Sequence, residues 1–323
     1  MIEGQDAAVH QFLKAWRTGT PHHAWLLAGP MGVGKATFAK DIATHVLAAA
    51  VSGGDHGTGL EIISTGPTAS LMEAGSHPDF RLIERQLNDK KTALKRNISV
   101  DQIRNIGKFL NVTASLSPWR VILIDSADDL EASGANALLK MLEEPPAHTL
   151  FMLVSHAPGR LLPTIKSRCR RLEFQPLKDD VMASVLRQQL PGKSADEFSA
   201  LTELSQGSAG RAIAMAELDL ASIVDQARAI MRRGDPTNAG RAALVQSLTN
   251  KANAERYARF LDIVPSLIAA EARTADPMQR EALLEAYREV RQIAAVAPRL
   301  TLDPGSVVLR IGSKLAHAAP QPA

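Results

Sequence analysis

The run Gly29-Pro30-Met31-Gly32-Val33-Gly34-Lys35-Ala36 restricts the fold of this chain more tightly than any other feature. Before it, Ala24-Trp25-Leu26-Leu27-Ala28 reads as a short buried strand. After it, Lys35 to Ala50 places Phe38, Ile42, Val46 and Leu47 on one face of a helix. A glycine-rich turn from strand to helix lets backbone N–H groups converge on phosphate oxygens. The helix N-terminus adds partial positive charge. Lys35 stands where a P-loop lysine reaches the β- and γ-phosphates. Gly29, Gly32, Gly34 and Lys35 are therefore candidate nucleotide-binding residues, with ATP or ADP as the ligand. The bland alternative is a glycine-rich turn without a ligand.

Two positions depart from an ATPase. The residue after the P-loop lysine is ordinarily Ser or Thr, whose hydroxyl ligates Mg²⁺. Here it is Ala36, and a methyl group cannot ligate a cation. Thr37 carries the nearest hydroxyl, but a helix turns about 100° per residue and directs it elsewhere. The second half of such a site follows a buried strand. Val121-Ile122-Leu123-Ile124-Asp125 supplies that strand and the acidic residue that orients Mg²⁺. A general base would come next, yet the chain has Ser126. Loss of a general base costs about 10²- to 10⁴-fold in rate. The pattern predicts an ATPase-like fold at a degenerate site with no bound metal, and no significant turnover by the isolated chain.

The rest of the first half alternates in the same rhythm. Asp79 to Ile83 reads as a weak strand. Val100, Ile103, Ile106, Phe109 and Leu110 share a helical face opened by Ser99 as N-cap. Asp128 to Leu142 reads as a helix stopped by Pro145-Pro146, and Leu150–Val154 and Arg171–Phe174 as strands. This alternation predicts an α/β domain, a parallel sheet sandwiched by helices. After Pro176 the pattern is helical throughout. The expected domains are 1–175, nucleotide-binding-like; 176–235, a small helical lid; and 236–323, an all-α C-terminal bundle. Residues 51–98 break the rhythm and read as an inserted, exposed excursion. Its stretch from Ser52-Gly53-Gly54 to Thr68 reads as loop, and its run of Arg81, Arg85, Lys90, Lys91, Lys95 and Arg96 as a solvated face.

Composition sets limits on function. The 323 residues are 45% hydrophobic and carry a net charge of +3, too even a balance to argue for a free-standing DNA binder. Aromatics, at 4%, are too few for base-stacking platforms. No run of roughly 18 apolar residues and no signal-like N-terminus is present, so the expected location is cytoplasmic, with no membrane partner. The single cysteine, Cys169, excludes an internal disulfide and a multi-thiolate zinc site. It reads as a small buried residue rather than a reactive thiol.

Asp125-Ser126-Ala127-Asp128-Asp129-Leu130, Asn136 through Glu143-Glu144-Pro145-Pro146, and Ser167-Arg168-Cys169 after Leu162-Pro163-Thr164-Ile165-Lys166 together resemble the AAA+ clamp-loader family of bacterial DNA polymerase III. His23-Ala24-Trp25-Leu26 also fits. The resemblance is dense from residue 1 to 176 and rests on short fragments beyond. It implies an AAA+ P-loop domain, a lid and a collar in a pentameric ring that places a sliding clamp on primer-template DNA. Gamma/tau and delta subunits would be its partners in the DNA polymerase III holoenzyme. Ala36 and Ser126 favour a non-motor subunit over a gamma/tau-type ATPase.

The resemblance assigns Arg168 as an arginine finger acting in trans on a neighbour's ATP, a contribution of about 10³- to 10⁵-fold in such enzymes. A surface arginine, or one paired with Glu173, is the plain alternative. Ser155 matches the sensor-one position, or is an ordinary strand-end serine; Arg211 matches sensor two, or is an ordinary helix-start arginine. Many family members carry a cysteine-ligated zinc module after the P-loop helix. Residues 51–98 contain no cysteine, and His45, His56 and His77 lack tetrahedral-site spacing, so no zinc is expected. The rivals are an active gamma/tau-type ATPase and an autonomous P-loop phosphotransferase.

Overall fold

A computed structural model describes residues 2–19, 21–51, 65–88, 94–218, 220–250, 253–298 and 300–320. The chain divides into two compact units, Met1–Leu177 and Lys178–Ala323.

The first unit runs α1 (Asp6–Trp16), β1 (Ala24–Ala28), α2 (Lys35–Val51), α3 (Pro67–Glu73), β2 (Phe80–Glu84), α4 (Val100–Leu110), β3 (Arg120–Asp125), α5 (Ala132–Glu143), β4 (Thr149–Ser155), α6 (Pro163–Ser167) and β5 (Arg170–Glu173). The strands form one sheet in the order β2-β3-β4-β1-β5, every neighbouring pair parallel. Side chains alternate across it. Trp25, Leu27, Val121, Leu123, Met152 and Leu172 enter a core shared with Phe12, Phe38 and Ile42. Leu26, Ile122, Ile124, Phe151 and Leu153 enter a second core with Ile103, Ile106, Leu138 and Leu142. Burial on both faces explains why β1, β3 and β4 read as unbroken apolar runs. This is an α/β fold, a parallel sheet between helical layers.

Three local expectations need correction. The helix expected over 128–142 is broken: Ala127–Asp129 is a 3₁₀ turn, Leu130 and Glu131 are extended, and α5 starts at Ala132. Tertiary bonds outweigh helix propensity there. Ile98 N–H donates to Asp129 O and Glu131 N–H donates to Ile98 O, which requires extended backbone between them. The excursion expected over 51–98 is not wholly exposed. It contains α3 and the edge strand β2, and Asp79 is buried with its carboxylate accepting from the N–H groups of Ser115, Leu116 and Ser117 at 2.7–2.9 Å. The charge run is only partly solvated: Arg81 lies 4.7 Å over the Phe109 ring and Arg85 pairs with Asp129 at 3.1 Å. His45 and His77 are buried packing residues, whereas Ser52-Gly53-Gly54, His56, Lys90 and Lys91 lie outside the described residues. The helix α4 starts as expected, with Ser99 and Gln102 forming a reciprocal capping box.

The second unit is all helical: α7 (Asp179–Gln189), α8 (Ala195–Ser205), α9 (Ala209–Glu217), α10 (Ala221–Arg233), α11 (Ala239–Leu248), α12 (Ala254–Thr274), α13 (Pro277–Val296) and α14 (Pro304–His317). One core gathers Leu204 and Met215 with Ile223, Ile230, Leu244, Val264, Leu267, Leu283, Val290 and Ile311. Glu271, almost buried, binds Arg228 and Arg232 and ties α10 to α12. Among the described residues no helix is long and apolar enough to cross a membrane.

Candidate nucleotide site

Because the strands are parallel, their C-terminal ends share one edge of the sheet, where ligands of such folds bind. β1 leads there to the phosphate loop, β3 to Asp125, β4 to Ser155 and β5 to Phe174. The loop requires glycine in two places for different reasons. At Gly29 a Cβ would collide with the Phe174 carbonyl, so the loop could not pass β5. Gly34 has φ +99°, a conformation L side chains rarely adopt, and a Cβ there would strike Ile2. Ile2 is itself held by its N–H to Asp41 at 2.7 Å, and the buried Gln5 side chain donates to Val33 O and Gln175 O. The segment from Ile2 to Gln5 is thereby strapped to the loop.

Lys35 opens α2 and is buried. Its Nζ donates to Gly29 O at 2.6 Å and to Pro30 O. Burial pulls its pKa down to about 8, opposed by the nearby Asp125 and Asp128 carboxylates. Ala36 adds no polar atom, and Thr37 is exposed on the outer side of α2. Asp125, at the end of β3, has its pKa raised by burial and by Glu84 on the adjacent strand; Lys40 and Lys35 oppose the shift.

The residue that organises this edge is Asp128, which sequence reasoning passed over. Its Oδ1 accepts from Ser155 Oγ at 2.8 Å; its Oδ2 accepts from Ser126 Oγ at 3.0 Å and from the His156 N–H at 2.5 Å. Burial alone would raise its pKa, but the donors of His156, Ser155 and Ser126 outweigh burial and hold it below the usual carboxylate range. The Ser126 and Ser155 hydroxyls are therefore both directed at one carboxylate. Ser155 is fully buried while so engaged. His156 was also unanticipated. Burial, then Lys35, drives its pKa down to about 4, with Asp128 opposing and Arg85 contributing, so the ring is neutral at pH 7. Its buried Nδ1 has no hydrogen-bond partner among the described residues. The only sequence signal for either residue was a polar side chain at the end of an apolar strand.

Arg168 caps α6 on the same unit. Its Nη2 pairs with Glu143 Oε1 at 2.7 Å and its Nη1 donates to Thr164 O at 3.0 Å. The side chain is 34% exposed, so it is neither free nor sealed. The pairing with Glu173 offered as the alternative does not form, because Glu173 binds Arg171 instead. Cys169 beside it is a half-buried thiol whose pKa burial raises to about 12, so it is protonated at pH 7. Arg211 belongs to the helical unit. It lies in the first turn of α9, where its N–H bonds the N-cap Ser208 and its Nη1 donates to Ser266 Oγ at 3.3 Å. Among the described residues no group of three or more His, Cys, Asp or Glu side chains is arranged to hold a metal.

Residues 4–178 match the family model described as DNA polymerase III, delta subunit. DNA polymerase III subunit delta' of Pseudomonas aeruginosa is 38% identical over 192 residues, 58% of this chain and 53% of that protein. The Escherichia coli protein of the same name is 31% identical over 212 residues, 65% of this chain and 59% of its own length. These matches thus span little more than half of each relative. A DNA polymerase III gamma subunit-related protein from Thermotoga maritima has a solved structure that aligns with a TM-score of 0.50 at 17% identity. That alignment covers 94% of this chain and 98% of the other, a likeness of fold alone.

Proposed function

This chain belongs to the DNA polymerase III delta-subunit family, and from that premise we propose that it is the delta-prime, non-motor subunit of a clamp loader. In this role it joins gamma/tau and delta subunits in the cytoplasm and helps place a sliding clamp on primer-template DNA. It supplies Arg168 to the ATP of a neighbouring subunit. The observation that carries this reading is the Asp128 cluster. Ser126 and Ser155 both donate to it, and Ala36 offers no metal ligand. Neither serine is left to activate water or read a γ-phosphate. Lys35, Asp125 and the three loop glycines remain, so ATP or ADP binding is compatible with the site while hydrolysis is not. Residues 176–235, with Arg211, are the lid in this reading, and residues 236–323 the collar that joins the ring.

The test is co-purification of the full chain with gamma/tau and delta, followed by an ATPase assay of the chain alone. The expected result is a stable complex and no turnover by the isolated chain above background. Turnover at the rate of a motor subunit, abolished by Lys35→Ala, would overturn the non-motor reading.

A further inference from the structure

Resting on the reading of Arg168 as a finger, we propose that Glu143 is the positioning residue that aims its guanidinium. Glu143 is the last residue of α5, a helix anchored in the core through Leu138 and Leu142. Arg168 caps the five-residue α6, which is fixed by Pro163 at its start and by the buried Ile165. A carboxylate in the last turn of a helix faces the negative end of the helix dipole, so local helix energetics disfavour it. A half-exposed ion pair adds little to stability. Neither helix propensity nor stability accounts for this carboxylate at this place; the direction it imposes on Arg168 does.

The geometry suits that task. Nη1 is held by Thr164 O and Nη2 by Glu143 Oε1, two acceptors on different helices. Two fixed points restrict the rotation of a long side chain that otherwise samples many rotamers. A guanidinium has five N–H donors, so two contacts leave others for a phosphate oxygen. A pre-aimed donor loses less freedom on meeting its target, and small errors of aim are costly in rate.

The experiment measures kcat and KM for ATP in complexes reconstituted with gamma/tau, delta and variants of the full chain. Glu143→Ala is expected to assemble normally, leave KM unchanged, and lose at least about half of the rate that Arg168→Ala loses. In the Arg168→Ala background it should have no further effect, as for residues acting through one another. Glu143→Gln keeps an acceptor oxygen and should retain most of the rate. Glu143→Asp, with the acceptor withdrawn by one methylene, should fall between Gln and Ala. A slowed Arg168→Ala complex beside an unchanged Glu143→Ala complex overturns this inference alone. A Glu143→Ala loss that persists in the Arg168→Ala background also overturns it, because Glu143 would then act elsewhere. An unchanged rate for Arg168→Ala overturns the finger reading and this inference with it.

Discussion

Asp128 stands just before α5 and Glu143 ends it, and each carboxylate holds groups that the proposed function invokes. Asp128 gathers two hydroxyls and a backbone N–H in a partly buried site. Glu143 holds one arginine, and both side chains are partly exposed, 49% and 34%. The difference lies in what breaking each contact costs. Breaking the Asp128 bonds leaves donors inside the protein without acceptors, at about 1–3 kcal/mol for each buried group. Breaking the Glu143 pair hands both partners to water at almost no cost. One end of the helix therefore supports the stability of the chain, and the other carries an ion pair on which stability hardly depends.

The largest expected effect is on Asp128. Asp128→Ala should destabilise the α/β unit by on the order of 3 kcal/mol, since the Ser126 and Ser155 hydroxyls and the His156 and Ala157 N–H groups lose one acceptor. All three tryptophans, Trp16, Trp25 and Trp119, lie in that unit, so their fluorescence during urea unfolding of the full chain reports it. A change below about 1 kcal/mol would make the two carboxylates equivalent and dissolve the contrast.

Acid should expose the same cluster. His156 has a folded pKa of about 4, below its ordinary 6.5. Between those values the unfolded chain binds more protons, so stability rises with pH. This contribution is complete above pH 6.5 and is lost as pH falls through 6.5 towards 4. Asp128, whose folded pKa is also depressed, adds a further loss below its ordinary 3.8. His156→Asn should flatten the pH 4–6.5 part of the unfolding profile by on the order of 1–2 kcal/mol. An identical slope in the variant would mean that the ring titrates as if solvated.

The smallest effect belongs to Glu143. Glu143→Ala should shift unfolding by less than about 1 kcal/mol. A loss matching that of Asp128→Ala would show that the pair is a stability element rather than an aiming contact.

The parts of this architecture legible in sequence were those that declare themselves locally. Strands β1, β3 and β4 are buried on both faces and so read as apolar runs, and the phosphate loop reads from its glycines. Ser99 announces α4 through a bond only three residues away. What stayed hidden depends on distant partners. β2 is an edge strand, half-buried and interrupted by Arg81, so its pattern is weak. The break before α5 is imposed by Ile98, some thirty residues upstream. Asp128 meets Ser155 across 27 positions of sequence, and Glu143 meets Arg168 across two helices. Short-range spacing carries no trace of such pairs, so Ser126 could be read as a missing base and Ser155 as a candidate without showing that one carboxylate holds both.

Under the proposed function, hydrolysis is dismantled within this chain and assisted from it in trans. The most direct measurement compares steady-state ATPase rates of complexes containing wild-type chain or Arg168→Ala, with assembly verified and the isolated chain as control. The expected result is no turnover by the isolated chain and a slower complex with Arg168→Ala, with residual activity from the ring's other sites. Equal rates for the two complexes, or hydrolysis by the isolated chain that depends on Lys35, would contradict it.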